Sequence, residues 1–141
     1  EITMISLIIG HKGSGKTKRL VEMVNRAVES SKGNVVCVEK EPKLIYDVSH
    51  RARLIETDRF SLSGPDAFYG FLCGVCSGDH DITDMLIDGT LRIIGRDQED
   101  IGRFFKNVGL LEKETGVAFV FTVSADKEEL PETIFKFCKN I

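Results

Sequence analysis

Residues 4–17 read MISLIIGHKGSGKT, and this stretch decides the fold. Residues 4–9 form a short, continuous apolar run, the pattern of a strand buried on both faces. The glycine-rich segment Gly10-His11-Lys12-Gly13-Ser14-Gly15-Lys16-Thr17 follows at once. It fits G-x-x-x-x-G-K-[ST] at every fixed position. From Lys16 to about Ser30 the apolar residues Leu20, Val21, Val24, Ala27 and Val28 fall at helical spacing.

The alternation continues outward from this unit. Residues 35–39 (VVCVE) predict a second buried strand and residues 53–56 a short extra one. Gly64-Pro65 opens a helix expected over residues 66–76, and residues 85–88 (MLID) read as a further buried strand. Residues 97–114 predict a helix with Ile101, Phe104, Phe105, Val108 and Leu111 on one face. Residues 117–123 (VAFVFTV) are the clearest strand, and residues 128–139 are expected to close the chain as a helix. Apolar strands alternating with amphipathic helices predict a single three-layer α/β/α domain with a mainly parallel sheet of about five strands. In such sheets ligands bind beyond the carboxyl ends of the strands, which points to the positions just after Ile9, Glu39, residues 85–87 and Val123.

The loop at residues 10–17 has a defined chemistry. Gly10 lets the chain leave the strand sharply, and Gly13 and Gly15 can take positive φ without steric cost. The N–H groups of residues 13–17, Ser14 among them, can then turn inward as a nest for a phosphate, with the helix N-terminus behind them. Lys16 supplies a point charge to the β- and γ-phosphates, and the Thr17 hydroxyl is a natural Mg²⁺ ligand. His11 and Lys12 occupy variable positions and are expected to face solvent.

On these residues the chain resembles the P-loop NTPase superfamily, and in particular its small, stand-alone, RecA-like ATP-binding members. The resemblance spans the alternating architecture, with residues 10–17 as its specific element. It implies ATP and Mg²⁺ as ligands and an acidic residue at the end of a buried strand, a position matched by Asp88. An Asp-Gly dipeptide is equally a turn signal. Asp84, at ~3.3 Å per residue, lies some 13 Å from that end of the strand. Many hydrolysing members place a glutamate directly after the aspartate, but Gly89 stands here. RecA-like members use a glutamate at the end of another strand. Glu39 occupies such an end, either as the catalytic base or as a solvated charge beside Lys40. Thr122 and Ser124 resemble the polar position that touches the γ-phosphate, or are ordinary strand-end hydroxyls. Arg51, Arg53, Arg92, Arg96 and Arg103 are candidate transition-state arginines.

Three readings follow: a slow or partner-stimulated ATPase, a small-molecule or nucleotide kinase, and a non-hydrolysing nucleotide-regulated binding module. A kinase needs a lid, and residues 40–63, with Arg51, Arg53 and Arg59, are the candidate. The absence of Asn-Lys-x-Asp favours ATP over GTP. The unknown partner is expected to be a protein or a second copy of the chain.

Composition bounds these readings. At 141 residues, 42% hydrophobic and 29% charged, the chain is expected to be one globular domain. A net charge of −3 argues against nucleic acid as the main partner. No apolar run approaches the ~20 residues of a membrane span, and no secretory signal is visible. Residues 1–3 precede Met4 and are read as a tag or processing remnant. Four irregularly spaced cysteines suggest reduced thiols and a cytoplasmic protein. Cys73 and Cys76, with His80 nearby, offer three metal-ligand types, but structural zinc wants four ligands, and buried helix cysteines are the expected role. Tyr46 and Tyr69 are the aromatic residues expected to be exposed, and so available to stack on a base.

Overall fold

The computed structural model describes residues 3–141, so Glu1 and Ile2 of the expected remnant lie outside the described residues. Thr3 is tied in: its hydroxyl donates to the Phe137 carbonyl and accepts from the Ile5 N–H at 3.1 Å. The elements are β1 (Ile5–Gly10), α1 (Lys16–Ser30), β2 (Asn34–Glu39), β3 (Arg53–Glu56), α2 (Pro65–Gly78), β4 (Ile82–Ile87), α3 (Thr90–Ile94), α4 (Gln98–Thr115), β5 (Ala118–Ser124) and β6 (Lys139–Asn140). All six strands join one parallel sheet in the order β3-β2-β4-β5-β1-β6.

Both faces of the sheet are covered. Leu20, Val24 and Val28 of α1 pack on Ile8, Val35, Cys37, Leu86 and Val120. On the opposite face α2, α3 and α4 cover the alternate residues of the same strands, among them Val36, Val38, Met85, Ile87, Phe119 and Phe121. The centre of this face is aromatic, with Phe104 edge-on to both Phe105 and Phe121. Two-sided burial is why these strands read as apolar runs.

Two expectations are corrected. The chain does not close as a helix over residues 128–139. It makes two short 3₁₀ turns, Lys127–Glu129 and Glu132–Lys136, and then β6, which pairs with β1 at Ser6 and Leu7. Pro131 is the physical reason. It lacks the N–H a helix needs there, and it pushes Leu130 into the extended region, at φ −108° and ψ 148°. The freed segment adds a sixth strand to the expected five. The short α3, directly after Asp88-Gly89, is the second difference: five residues are too few to reveal a helical period.

No described helix is long and apolar enough to cross a membrane.

Candidate functional site: a cationic cleft at the carboxyl ends of the strands

The glycine-rich loop of residues 10–17 joins β1 to α1. Gly13 and Gly15 both have positive φ, 84° and 88°. Gly10 does not; a Cβ there would stand 2.6 Å from the Ser14 hydroxyl, which would have to turn away. Gly15 occupies the N-cap of α1, no side chain caps that terminus, and its first turn holds no acidic residue. In α4, by contrast, the Asp97 side chain caps the helix and Glu99 and Asp100 follow in its first turn. Gly15, Lys16 and Thr17 line the cleft, so the positive dipole end of α1 faces it with no capping side chain and no acidic residue of its own first turn.

Lys16 is 8% exposed. Its ammonium donates to the His11 carbonyl at 2.7 Å and reaches the Ser14 hydroxyl at 3.5 Å. Burial holds its pKa below the ordinary lysine value, and the Asp88 charge partly opposes that shift. His11 and Lys12 are exposed as expected, and the His11 ring stands 3.1 Å from the Asp126 carboxylate.

Asp88 follows directly on β4 and is gathered with Thr17 and Thr122. The Thr17 hydroxyl donates to the Asp88 carboxylate, 3.1 and 3.2 Å from its two oxygens. Thr122 donates to Asp88 Oδ1 at 2.7 Å and accepts the Gly89 N–H at 2.9 Å. A hydroxyl has a single proton. That of Thr122 goes to Asp88, so Thr122 positions the aspartate. Ser124 lines the cleft, and its carbonyl accepts from Arg96 at 2.9 Å. Asp84, at the other end of β4, accepts from Ser31 and Thr83 at 2.6 Å each.

Gly89, not a glutamate, follows the aspartate. It sits in the left-handed region, φ 69° and ψ 37°, at the N-cap of α3. A side chain there costs roughly 1–2 kcal/mol. Gly89→Glu is therefore expected to lower unfolding stability by about that amount. Chemical denaturation checks it; an unchanged midpoint would mean the turn re-forms without strain.

The sheet register sets a polar row on the α1 face. Glu56 pairs with Glu39, and the residues preceding Asp88 and Thr122 continue the same level through Val38–Ile87 and Ile87–Phe121. Glu39 is 3% exposed. Its carboxylate accepts the Lys43 N–H at 2.9 Å and the Leu44 N–H at 3.4 Å. Burial raises its pKa, those two bonds oppose the rise, and the like charges of Glu56 and Asp88 add to it. It is thus no solvated charge.

The cleft has a volume of about 980 Å³. Seven lysines and arginines line it against four acidic residues, although the whole chain is net negative. Of the candidate arginines, Arg92 and Arg96 reach this cleft. Arg92 pairs with Glu41, which also holds Lys43 at 3.0 Å; these partners keep the Glu41 carboxyl down at about 2. Arg103 is engaged with Asp66 and Asp100 on the surface. The proposed lid arginines do not close over the loop. Arg51 binds Glu29 and the Val28 carbonyl at the far end of α1, Arg53 begins β3, and Arg59 pairs with Glu56.

The donor set fits Mg²⁺ held together with phosphates. Mg²⁺ is octahedral and is typically bound by one or two carboxylates plus substrate oxygens. Thr17 and Asp88 supply one hydroxyl and one carboxylate, and among the described residues no three His, Cys, Asp or Glu side chains form a metal-holding group of their own.

The remaining sequence candidates lie elsewhere. Cys73, Cys76 and His80 line a separate hollow of about 480 Å³. Burial pushes the Cys76 thiol up to about 11, and that of Cys37 and Cys138 to about 12, which disfavours reactive thiolates. Tyr46 is 96% exposed, while Tyr69 packs half-buried against the core. No protein-family model matches the chain, and no curated protein matches it.

Proposed function

We propose that the chain binds Mg²⁺·ATP in this cleft and hydrolyses it slowly, with turnover raised by a partner. The observation that carries the reading is the uncapped N-terminus of α1, bent inward by Gly13 and Gly15, with a buried Lys16 and the Thr17–Asp88 pair beside it. Backbone N–H groups of the loop hold the β-phosphate, and Lys16 reaches toward the γ-phosphate. Thr17 and Asp88 would hold the metal, which would supply charge neutralisation to the bound phosphates. Thr122 fixes the orientation of Asp88 through its 2.7 Å bond. The missing Asn-Lys-x-Asp supports ATP over GTP.

Glu39 is the candidate to take a proton from the attacking water. Its two oxygens offer about four lone-pair sites, of which two are occupied by the Lys43 and Leu44 N–H groups. Its raised pKa makes it a stronger base than a surface glutamate. The backbone bonds also hold it in a fixed place until the segment after β2 moves, which suits low basal turnover. A kinase reading loses support from Arg51, Arg53 and Arg59, none of which lines the cleft.

Single-turnover hydrolysis of labelled ATP tests the proposal. Glu39→Gln is expected to bind Mg²⁺·ATP as the native chain does and to hydrolyse it at least ~100-fold more slowly. Equal rates would remove Glu39 as the base. No turnover by the native chain over hours, with binding intact, would leave a nucleotide-regulated binding module.

A further inference from the structure

At the opposite end of the sheet from the cleft lies a groove of about 420 Å³ between β3 and α2. Among the described residues β3 is the last strand of the sheet and pairs only with β2, so its outer edge carries unpaired backbone donors and acceptors. Arg53 and Ile55, two residues apart on β3, both line the groove. Its apolar lining is completed by Val35, Val36, Val75 and Ile82. On the helix side the wall includes Gly74 and Gly78, and nothing lies within 4 Å of where a Cβ would stand on either. A glycine in an exposed helix interior costs about 1 kcal/mol relative to alanine, so local helix stability does not explain Gly74.

The charge of the groove is specific. Arg51 is oriented by Glu29 and the Val28 carbonyl. The Arg53 side chain makes no hydrogen bond or ion pair among the described residues. The single acidic group of the lining, Asp79, is satisfied by Asn34 at 2.9 Å and the Asp81 N–H at 2.9 Å. The mouth therefore offers a cation beside an apolar strip and a strand edge.

We infer that this groove takes an extended, acidic–apolar peptide segment of a partner protein, added to the sheet as a strand beside β3. Main-chain hydrogen bonds to the β3 edge supply affinity, and alternate side chains enter the groove. Side chains on one face of a strand recur every second residue. A segment matching Arg53 and Ile55 thus carries an aspartate or glutamate two positions from a valine, isoleucine or leucine. The wall at Gly74 and Gly78 leaves room for the apolar side chain. This site is independent of the nucleotide reading, since it shares no lining residue with the cleft.

The test is selection of a random heptapeptide library displayed on phage against the folded chain, followed by amide chemical-shift mapping with the enriched synthetic peptides. Enriched peptides are expected to carry the acidic-x-apolar pair in either direction and to shift β3 and the C-terminal half of α2. Arg53→Glu is expected to weaken them at least 10-fold, and peptides with lysine in place of the acid are expected to recover binding to that variant. Gly74→Leu fills the groove and is expected to abolish binding while raising the melting temperature, so lost binding there cannot be unfolding. Enrichment without an acidic residue, no enrichment, or peptides that bind Gly74→Leu equally well would overturn the inference. Concentration-dependent dimerisation abolished by Gly74→Leu would assign the groove to a second copy of this chain and overturn it too.

Discussion

Lys16→Ala is expected to weaken Mg²⁺·ATP binding about 100-fold, ~2.7 kcal/mol, the scale of a charge-assisted contact in a partly desolvated site. Isothermal calorimetry reads it directly. The fold is not expected to suffer, because the substitution removes a desolvated charge whose hydrogen-bond partners are one carbonyl and, at 3.5 Å, one hydroxyl. Burial of that charge lowers the lysine pKa in the folded protein. Without nucleotide, the unfolded chain then holds a proton that the folded chain has lost, between the lowered value and 10.5. Stability from this group therefore rises with pH across that window. Nucleotide binding needs the charged form, so affinity falls as pH rises through the same window, and Lys16→Ala removes that alkaline limb. Unchanged affinity in the variant would sink the phosphate-loop reading, whatever the fate of Glu39.

Asp88→Ala is expected to remove the Mg²⁺-dependent part of nucleotide affinity, so that titrations with Mg²⁺ and with EDTA coincide. It also strands the buried Thr122 hydroxyl, whose proton goes to Asp88 at 2.7 Å. Leaving a buried donor unpaired costs about 1–3 kcal/mol of stability. Asp88→Asn separates the two effects. An asparagine oxygen still accepts from Thr122, so stability is expected to return while the Mg²⁺ dependence stays lost. A Mg²⁺ effect undiminished in both variants would place the metal elsewhere.

The glycine-rich loop, the buried strands and the long helices were legible because each is a local property of the chain. Loop conformation depends on glycine at the positions that turn left-handed, and burial on both faces of a sheet leaves a continuous apolar run. Residues 10–17 sit on a strand–loop–helix junction as expected, and the parallel α/β class follows from the alternation. The local reading failed at Pro131, where one residue in an otherwise plausible helical stretch redirects the chain into β6.

What tertiary structure alone decided is lateral. Strand order is not a local quantity, and it is the order β2-β4-β5-β1 that brings Thr17, Asp88 and Thr122 within hydrogen-bond reach across 71 and 34 residues of sequence. The same order sets Glu39 beside Asp88, sends Arg92 and Arg96 to the cleft, and leaves Arg51 and Arg53 at the other end of the sheet. Sequence determined which chemical groups stand at the strand ends, because motif and period are written along the chain. Which of those groups meet was decided by side-by-side packing of the strands, where hydrophobic burial and hydrogen bonding act between residues far apart in sequence.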